Sequence, residues 1–192
     1  SEGTYRVLGQ HNVDTGMGIE RTVSVLSGKP SVYETDTLAP LMTEIQALTH
    51  IEHDPSAAQI KAMRIITDHI RAVTFIMGED HGITPSNVEQ GYVVRRLIRR
   101  ALCQSYDLNI QQQFLPQLAE RVIDIYDDLY PELERNTDFI IRELEKEEQV
   151  FKKTLRLGVR KINQLIANQG NVSGKDAFTL FTSFGFPLEM SQ

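Results

Sequence analysis

Three segments of this sequence carry side chains suited to binding chemistry. The first is Asp14-Thr15-Gly16-Met17-Gly18-Ile19-Glu20-Arg21. Paired glycines let backbone approach a ligand closely, and a helix that starts there offers unpaired N–H groups to an anion. Arg21, one turn into such a helix, carries a forked guanidinium that suits phosphate, and Asp14 is placed to hold an ammonium. The alternative is a plain left-handed turn followed by a surface Glu20–Arg21 pair. The second segment is Arg95-Arg96-Leu97-Ile98-Arg99-Arg100. On a helix, 95 stacks on 99 and 96 on 100. Two rows of guanidinium then line one side, suited to phosphate oxygens. The alternative is a solvated face, or salt bridges to the acidic stretch 120–149. The third is Thr84-Pro85-Ser86-Asn87. Pro85 stiffens the turn, Ser86 or Asn87 is placed to cap the following helix, and a held Asn presents donor and acceptor together to a base edge.

Other chemistry-bearing residues assemble into less. His50 and His53, with Glu52 and Asp54, resemble a metal pair, but no second cluster has suitable spacing, so no metal ligand is assigned. His69, amid Ile65, Ile66 and Ile70, reads as a hydrogen-bonded, partly buried residue. Cys103 reads as a packed thiol rather than a nucleophile. No Ser–His–Asp triad or carboxylate pair assembles, so no catalytic residue is assigned.

The elements that must position these residues are mostly helices. Residues 5–14 read as a short strand, Thr15 to Gly18 as a tight turn, and Ile19, Thr22, Val23 and Leu26 as one face of a short helix ending near Gly28 and Pro30. Leu38, Leu41, Met42, Ile45 and Leu48 make the next stripe, with Pro40 in its first turn. Ser56 is a plausible N-cap for a helix with Ile60, Met63, Ile66, Ile70, Val73 and Met77 on one face. A helix from Tyr92 to Tyr106 buries Val93, Val94, Leu97, Ala101 and Leu102; another follows with Leu115, Leu118, Val122, Ile125 and Leu129. Pro131 opens the longest helix, running to Asn168, with Leu133, Thr137, Ile140, Leu144, Phe151, Leu155, Ile162 and Ile166 as its stripe and Glu147 and Glu148 as an interruption. Gly170 and Gly174 break it, and Ser173 caps a final helix through Phe184.

Composition bounds the class. The chain has 192 residues, 41% hydrophobic and 24% charged, with net charge −6. These values exclude wholesale disorder and argue against indiscriminate nucleic-acid binding. One cysteine excludes an internal disulfide scaffold. No apolar run approaches the roughly 20 residues a membrane helix needs, and no leader segment opens the chain, so a cytoplasmic protein without membrane contact is expected. The start at Ser1 and the stop at Gln192 suggest an excised fragment. Charge is uneven: residues 120–149 hold 11 acids and 4 bases, whereas Val150 to Lys161 holds five bases and no acid. That order suits a helix dipole but leaves the arginine cluster unexplained.

Asn12 to Arg21 resembles the third signature motif of class II aminoacyl-tRNA synthetases in its alanyl form. Ser31-Val32-Tyr33-Glu34-Thr35-Asp36 resembles the link that follows it. Arg64 to Ala72, Pro85-Ser86-Asn87 and Gly91 to Ala101 resemble the alanyl middle domain, and Leu180 to Pro187 resembles the segment that closes it. The resemblance implies a mainly α fold: the catalytic-domain edge, a strand–helix remnant over 1–28, then a helical tRNA-recognition domain over 29–192, with a division near 110 left open. It implies an alanine–tRNA ligase as the parent enzyme, with ATP and Mg2+ used by the parent and none bound to the fragment, which is expected to be inactive alone. Asp14 would bind alanine; Gly16, Gly18 and Arg21 would bind ATP. Asn87, Arg95, Arg96, Arg99, Arg100 and Thr182 would bind the tRNA-Ala acceptor stem, Asn87 at its G·U pair. Two departures stand out. The family's usual Asp is Thr182 here, and its usual Gly-Arg is Glu89-Gln90. The competing reading is a non-catalytic synthetase-like helical module that binds RNA or protein partners.

Overall fold

The computed structural model describes residues 9, 10, 15–49, 51, 54–184 and 186, with only the backbone of 182–184. Among these residues the chain is helical and contains no strand. The helices are α1 (Ile19–Leu26), α2 (Ala39–Leu48), α3 (Ala57–Gly78), α4 (Glu89–Asp107), α5 (Leu115–Tyr126), α6 (Pro131–Arg135), α7 (Thr137–Gln169) and α8 (Gly174–Phe184), with a 3-10 turn at Val32–Glu34. The helical half of the expected strand–helix is present as α1. The expected strand falls mostly on residues outside the described set. No tight turn is found at Thr15 to Gly18; Gly18 is extended (φ −81°, ψ 121°).

The fold is organised around α3, which packs against α2, α4, α5, α6 and α7. It starts where Ser56 and Gln59 form a capping box: Gln59 N–H donates to Ser56 Oγ (3.3 Å) and Ser56 N–H to Gln59 Oε1 (2.9 Å). Met63, Ile66, Ile70, Val73 and Met77 are buried along it. Thr67 and Thr74 also lie in the interior, because their hydroxyls donate one turn back, to Met63 O and Ile70 O. One contiguous apolar core joins residues from Leu41 to Phe186.

Several elements differ from expectation. The helix opened by Pro131 stops after one turn. Asn136 separates α6 from α7, its Nδ2 donating to Gly78 O at 2.9 Å and so fixing the corner against the end of α3. Leu129 is exposed beyond the end of α5. On α4, Val93 is exposed and Ile98 takes the core position, so the buried line is Gly91, Val94, Ile98, Ala101, Leu102 and Ser105. Near the end of α7 the buried residue is Leu165, and Ile166 is exposed, because a 3.6-residue period drifts over so long a helix. Ser173 does cap α8, accepting from Asp176 N–H at 3.2 Å while donating to its carboxylate. Phe186 is buried against α7, its ring occupying the space a Cβ would need at Gly158. No helix among the described residues is long and apolar enough to cross a membrane.

Candidate nucleic-acid interface

The arginine helix divides its own charge. Arg95 and Arg99 point to α7, where Glu147 is 4% exposed. Arg95 Nε donates to Glu147 Oε2 (3.1 Å) and Arg99 Nε to Oε1 (2.8 Å), so each carboxylate oxygen has its own guanidinium. Arg99 also lies over the Phe151 ring, 5.3 Å from its centroid. A buried carboxylate is tolerated only with partners of this kind. Arg96 and Arg100, one position on, are exposed. The cluster therefore shows both forms of the alternative to phosphate binding: one row forms salt bridges to the acidic helix and the other faces solvent.

Arg95 does more than pair. Its Nη1 donates to Asn87 Oδ1 (2.5 Å) and its Nη2 to Pro85 O (3.2 Å). One side chain thus ties the Pro85–Asn87 turn to both α4 and α7. Ser86 N–H donates to Gly91 O, and Ser86 Oγ donates to Val88 O while accepting from Val88 N–H. A Cβ at Gly91 would lie 2.2 Å from Ser86 Oγ and 2.6 Å from Thr84 O, so the turn lies against α4 only because 91 is glycine. Neither Ser86 nor Asn87 caps the helix. The N-cap is Val88, without a side-chain bond, because both polar side chains are spent within the turn and on Arg95. Asn87 itself is exposed. Glu89 has φ +48°, a left-handed backbone that glycine adopts freely and glutamate does not.

Glu148, beside Glu147, is fully buried and faces α5. Its Oε2 accepts from Leu115 N–H (3.2 Å) and its Oε1 lies 3.0 Å from Lys152 Nζ. It caps α5 from another helix, where Phe114 cannot. Burial pushes its pKa up; Lys152 and the N–H groups of Leu115 and Phe114 oppose that.

α1 starts after its N-cap Gly18 without a side-chain cap, and Arg21 in its first turn is exposed. This geometry fits a polyphosphate. Gly16 and Gly18 precede it; Asp14 lies outside the described residues. Glu20 does not pair with Arg21. It accepts from Arg71 Nη1 (2.6 Å) on α3, which anchors α1. The following segment is anchored too: Tyr33 donates to Asp68 Oδ2 (2.5 Å), and Arg64 lies over the Tyr33 ring. Burial, then Asp68, raises the Tyr33 pKa to about 12. His69 differs from expectation: its Nε2 is buried without a hydrogen-bond partner, and burial, then Arg100, lowers its pKa. Cys103 packs half-buried against the core, as its neighbours suggested. Thr182 lies on α8, its side chain outside the described residues, as are His50, Glu52 and His53. Among the described residues no group of three metal-ligating side chains occurs.

Sequence reasoning missed Glu147, Glu148 and Arg71. For the first two a signal existed: two adjacent acids fall in line with a core stripe, where charges occur only with partners.

The described residues thus bring together a guanidinium-braced turn, an exposed arginine row and a helix start without a side-chain cap. The whole chain, residues 1–192, matches the profile of the family described as tRNA synthetases class II (A), and the chain belongs to that family. Among curated relatives, an alanine–tRNA ligase of Treponema pallidum (strain Nichols) is 43% identical over 197 residues, covering 100% of this chain and 33% of that protein. One from Crocosphaera subtropica is 39% identical over 196 residues, covering 100% and 22%. One from Borreliella afzelii is 40% identical over 192 residues, covering 99% and 32%. The chain therefore spans between a fifth and a third of the length of these relatives.

Proposed function

We propose that this chain is the acceptor-stem-reading portion of an alanine–tRNA ligase, which joins alanine to tRNA-Ala through alanyl-adenylate. The observation that carries the reading is the Asn87 turn, held by Arg95 at the foot of a helix whose outer row, Arg96 and Arg100, is exposed. Asn87 Oδ1 gives one lone pair to Arg95. Its second lone pair and the Nδ2 protons remain for a ligand, the equipment to meet a guanine edge in the shallow minor groove of RNA. Arg96 and Arg100 are the phosphate contacts. Arg95 and Arg99, already engaged by Glu147, serve the interface by holding it.

In the parent enzyme, Asp14 holds the amino group of alanine. Gly16, Gly18 and the first turn of α1 leave room and N–H groups for ATP phosphates, and Arg21 offsets charge that develops on them. Magnesium accompanies the ATP and supplies further charge neutralisation. The isolated chain is expected to bind RNA without forming the adenylate; the larger ligase is expected to act in the cytoplasm.

The test is binding of this chain to an alanine acceptor-stem hairpin in G·U and G·C forms over a salt series. The expected result is salt-sensitive binding that prefers G·U. Substituting Arg96 and Arg100 by Gln lowers the salt slope by about two. Asn87→Ala removes the preference, and Thr182→Asp strengthens it by restoring a charged acceptor. Binding that ignores the pair identity refutes the assignment of Asn87. No binding at low salt favours a protein-interaction module instead.

A further inference from the structure

We propose that Glu147 is a positioning residue for recognition of the acceptor stem: from α7, and through Arg95, it sets the orientation of the Asn87 amide. The proposal rests on the reading of Asn87 just given and adds a residue that touches no RNA.

The argument starts from what holds Asn87. The side chain is exposed, and an exposed amide on a turn samples several rotamers and both flips of its O and N ends. Arg95 Nη1 removes that freedom by binding Oδ1, which leaves the Nδ2 donors of this exposed residue for a ligand. Arg95 is itself a long chain with much rotamer entropy, and two bonds to a turn would not hold it alone. Its Nε, however, is fixed to a carboxylate that is 5% exposed and belongs to another helix. Glu147 in turn cannot swing away, because Arg99 binds its second oxygen and is itself seated on Phe151. The chain of restraint runs Phe151 and Arg99, Glu147, Arg95, Asn87. Each link is a planar group bound to a planar group, which transmits orientation and not only position. A neutral amide at 147 keeps the volume but weakens the acceptor, so Arg95 spends less time on Asn87.

Two readouts test this, both on the full 192-residue chain. The first is the ratio of affinities for the G·U and G·C hairpins. Glu147→Gln and Arg95→Lys are each expected to lower the ratio by between about twofold and tenfold, the range for one hydrogen bond. In the Asn87→Ala background neither lowers it further. A merely structural loss would weaken both hairpins alike and leave the ratio unchanged. The second readout needs no RNA. Amide hydrogen exchange over residues 84–91 is expected to accelerate in Glu147→Gln while the middle of α3 stays protected. If Asn87→Ala abolishes the ratio and Glu147→Gln and Arg95→Lys leave it and the exchange unchanged, the proposal is overturned and the Asn87 reading stands. If Asn87→Ala changes nothing, that reading falls, and exchange alone decides: acceleration supports Glu147 as the support of the turn, and its absence refutes it.

Discussion

Glu89 is the first residue of α4 and occupies a left-handed backbone conformation, φ +48°. For an L-residue that conformation costs about 1–2 kcal/mol. A change to glycine relieves the strain but restores backbone freedom to the unfolded chain, which returns about 0.4–1 kcal/mol. Glu89 also carries a negative charge at a helix N-terminus, a favourable placement of about 0.3–1 kcal/mol at low salt. A bare Glu89→Gly comparison mixes all three. The informative comparison is with Glu89→Gln, which keeps the strain and discards the charge. Gly is then expected to exceed Gln in stability by about 0.8 kcal/mol, a strain of about 1.5 kcal/mol less an unfolded-state entropy of about 0.7 kcal/mol. Because the side chain is exposed, no packing contact enters the difference. Urea unfolding followed by helical circular dichroism measures it, with equal m-values as the check that both variants unfold alike. A Gly variant no more stable than the Gln variant would refute the claim that strain is stored at this corner.

Three other outcomes are expected. Gly158→Ala would bring a Cβ within 2.1 Å of the Phe186 ring; it should destabilise in the native background, by an overpacking cost of about 1–3 kcal/mol against a helix-propensity gain of about 1. In the Phe186→Ala background the clash is gone, and the same change should stabilise by about 1 kcal/mol in urea unfolding. Burial raises the pKa of Glu148, so the folded chain holds its proton more tightly than the unfolded one, and stability falls as pH rises from 4.5 through the folded value; Glu148→Gln should remove that slope from a series of melts. Glu20 titrates below its usual value, chiefly through its backbone N–H and Arg71, so its contribution is present above pH 4.5 and is lost as pH falls through the folded value. The Glu20–Arg71 pair is partly exposed, so Glu20→Gln should cost under about 1 kcal/mol, yet exchange of residues 19–26 should accelerate clearly.

Helix positions were legible because the apolar spacing of α2, α3 and α5 and the caps Ser56 and Ser173 are local signals, each acting within a few residues. The corner at Asn136 was not. It depends on a bond to Gly78 O, 58 residues away, that no periodicity records. The same limit applied to the arginines. Spacing alone put 95 over 99 and 96 over 100, and left open whether either row met solvent or an acidic helix. The answer required knowing that Ile98 rather than Val93 faces inward, which turns α4 enough to bring one row onto Glu147. Glu147 looked like an interruption of a stripe because its partners lie on a different helix. Motif spacing led to Asn87 in the sequence, but its restraint by Arg95 is a tertiary contact.

That restraint assigns the two arginine rows different work. If all four guanidinium groups met phosphate, their loss would weaken binding to any RNA and say nothing about sequence. Because Arg95 and Arg99 are bound by a buried carboxylate, they are poorly placed to follow a phosphate, and their removal should act on geometry. α7 gains importance from this. It carries Glu147, which fixes the Asn87 turn, and eleven residues further, about 16 Å along the helix, it carries Gly158, on which Phe186 seats the end of α8. One rigid helix therefore holds both the turn with Asn87 and the segment with Thr182. If the proposed reading holds, a defect at either seat should disturb discrimination between base pairs before it disturbs the attraction to the RNA backbone assigned to Arg96 and Arg100.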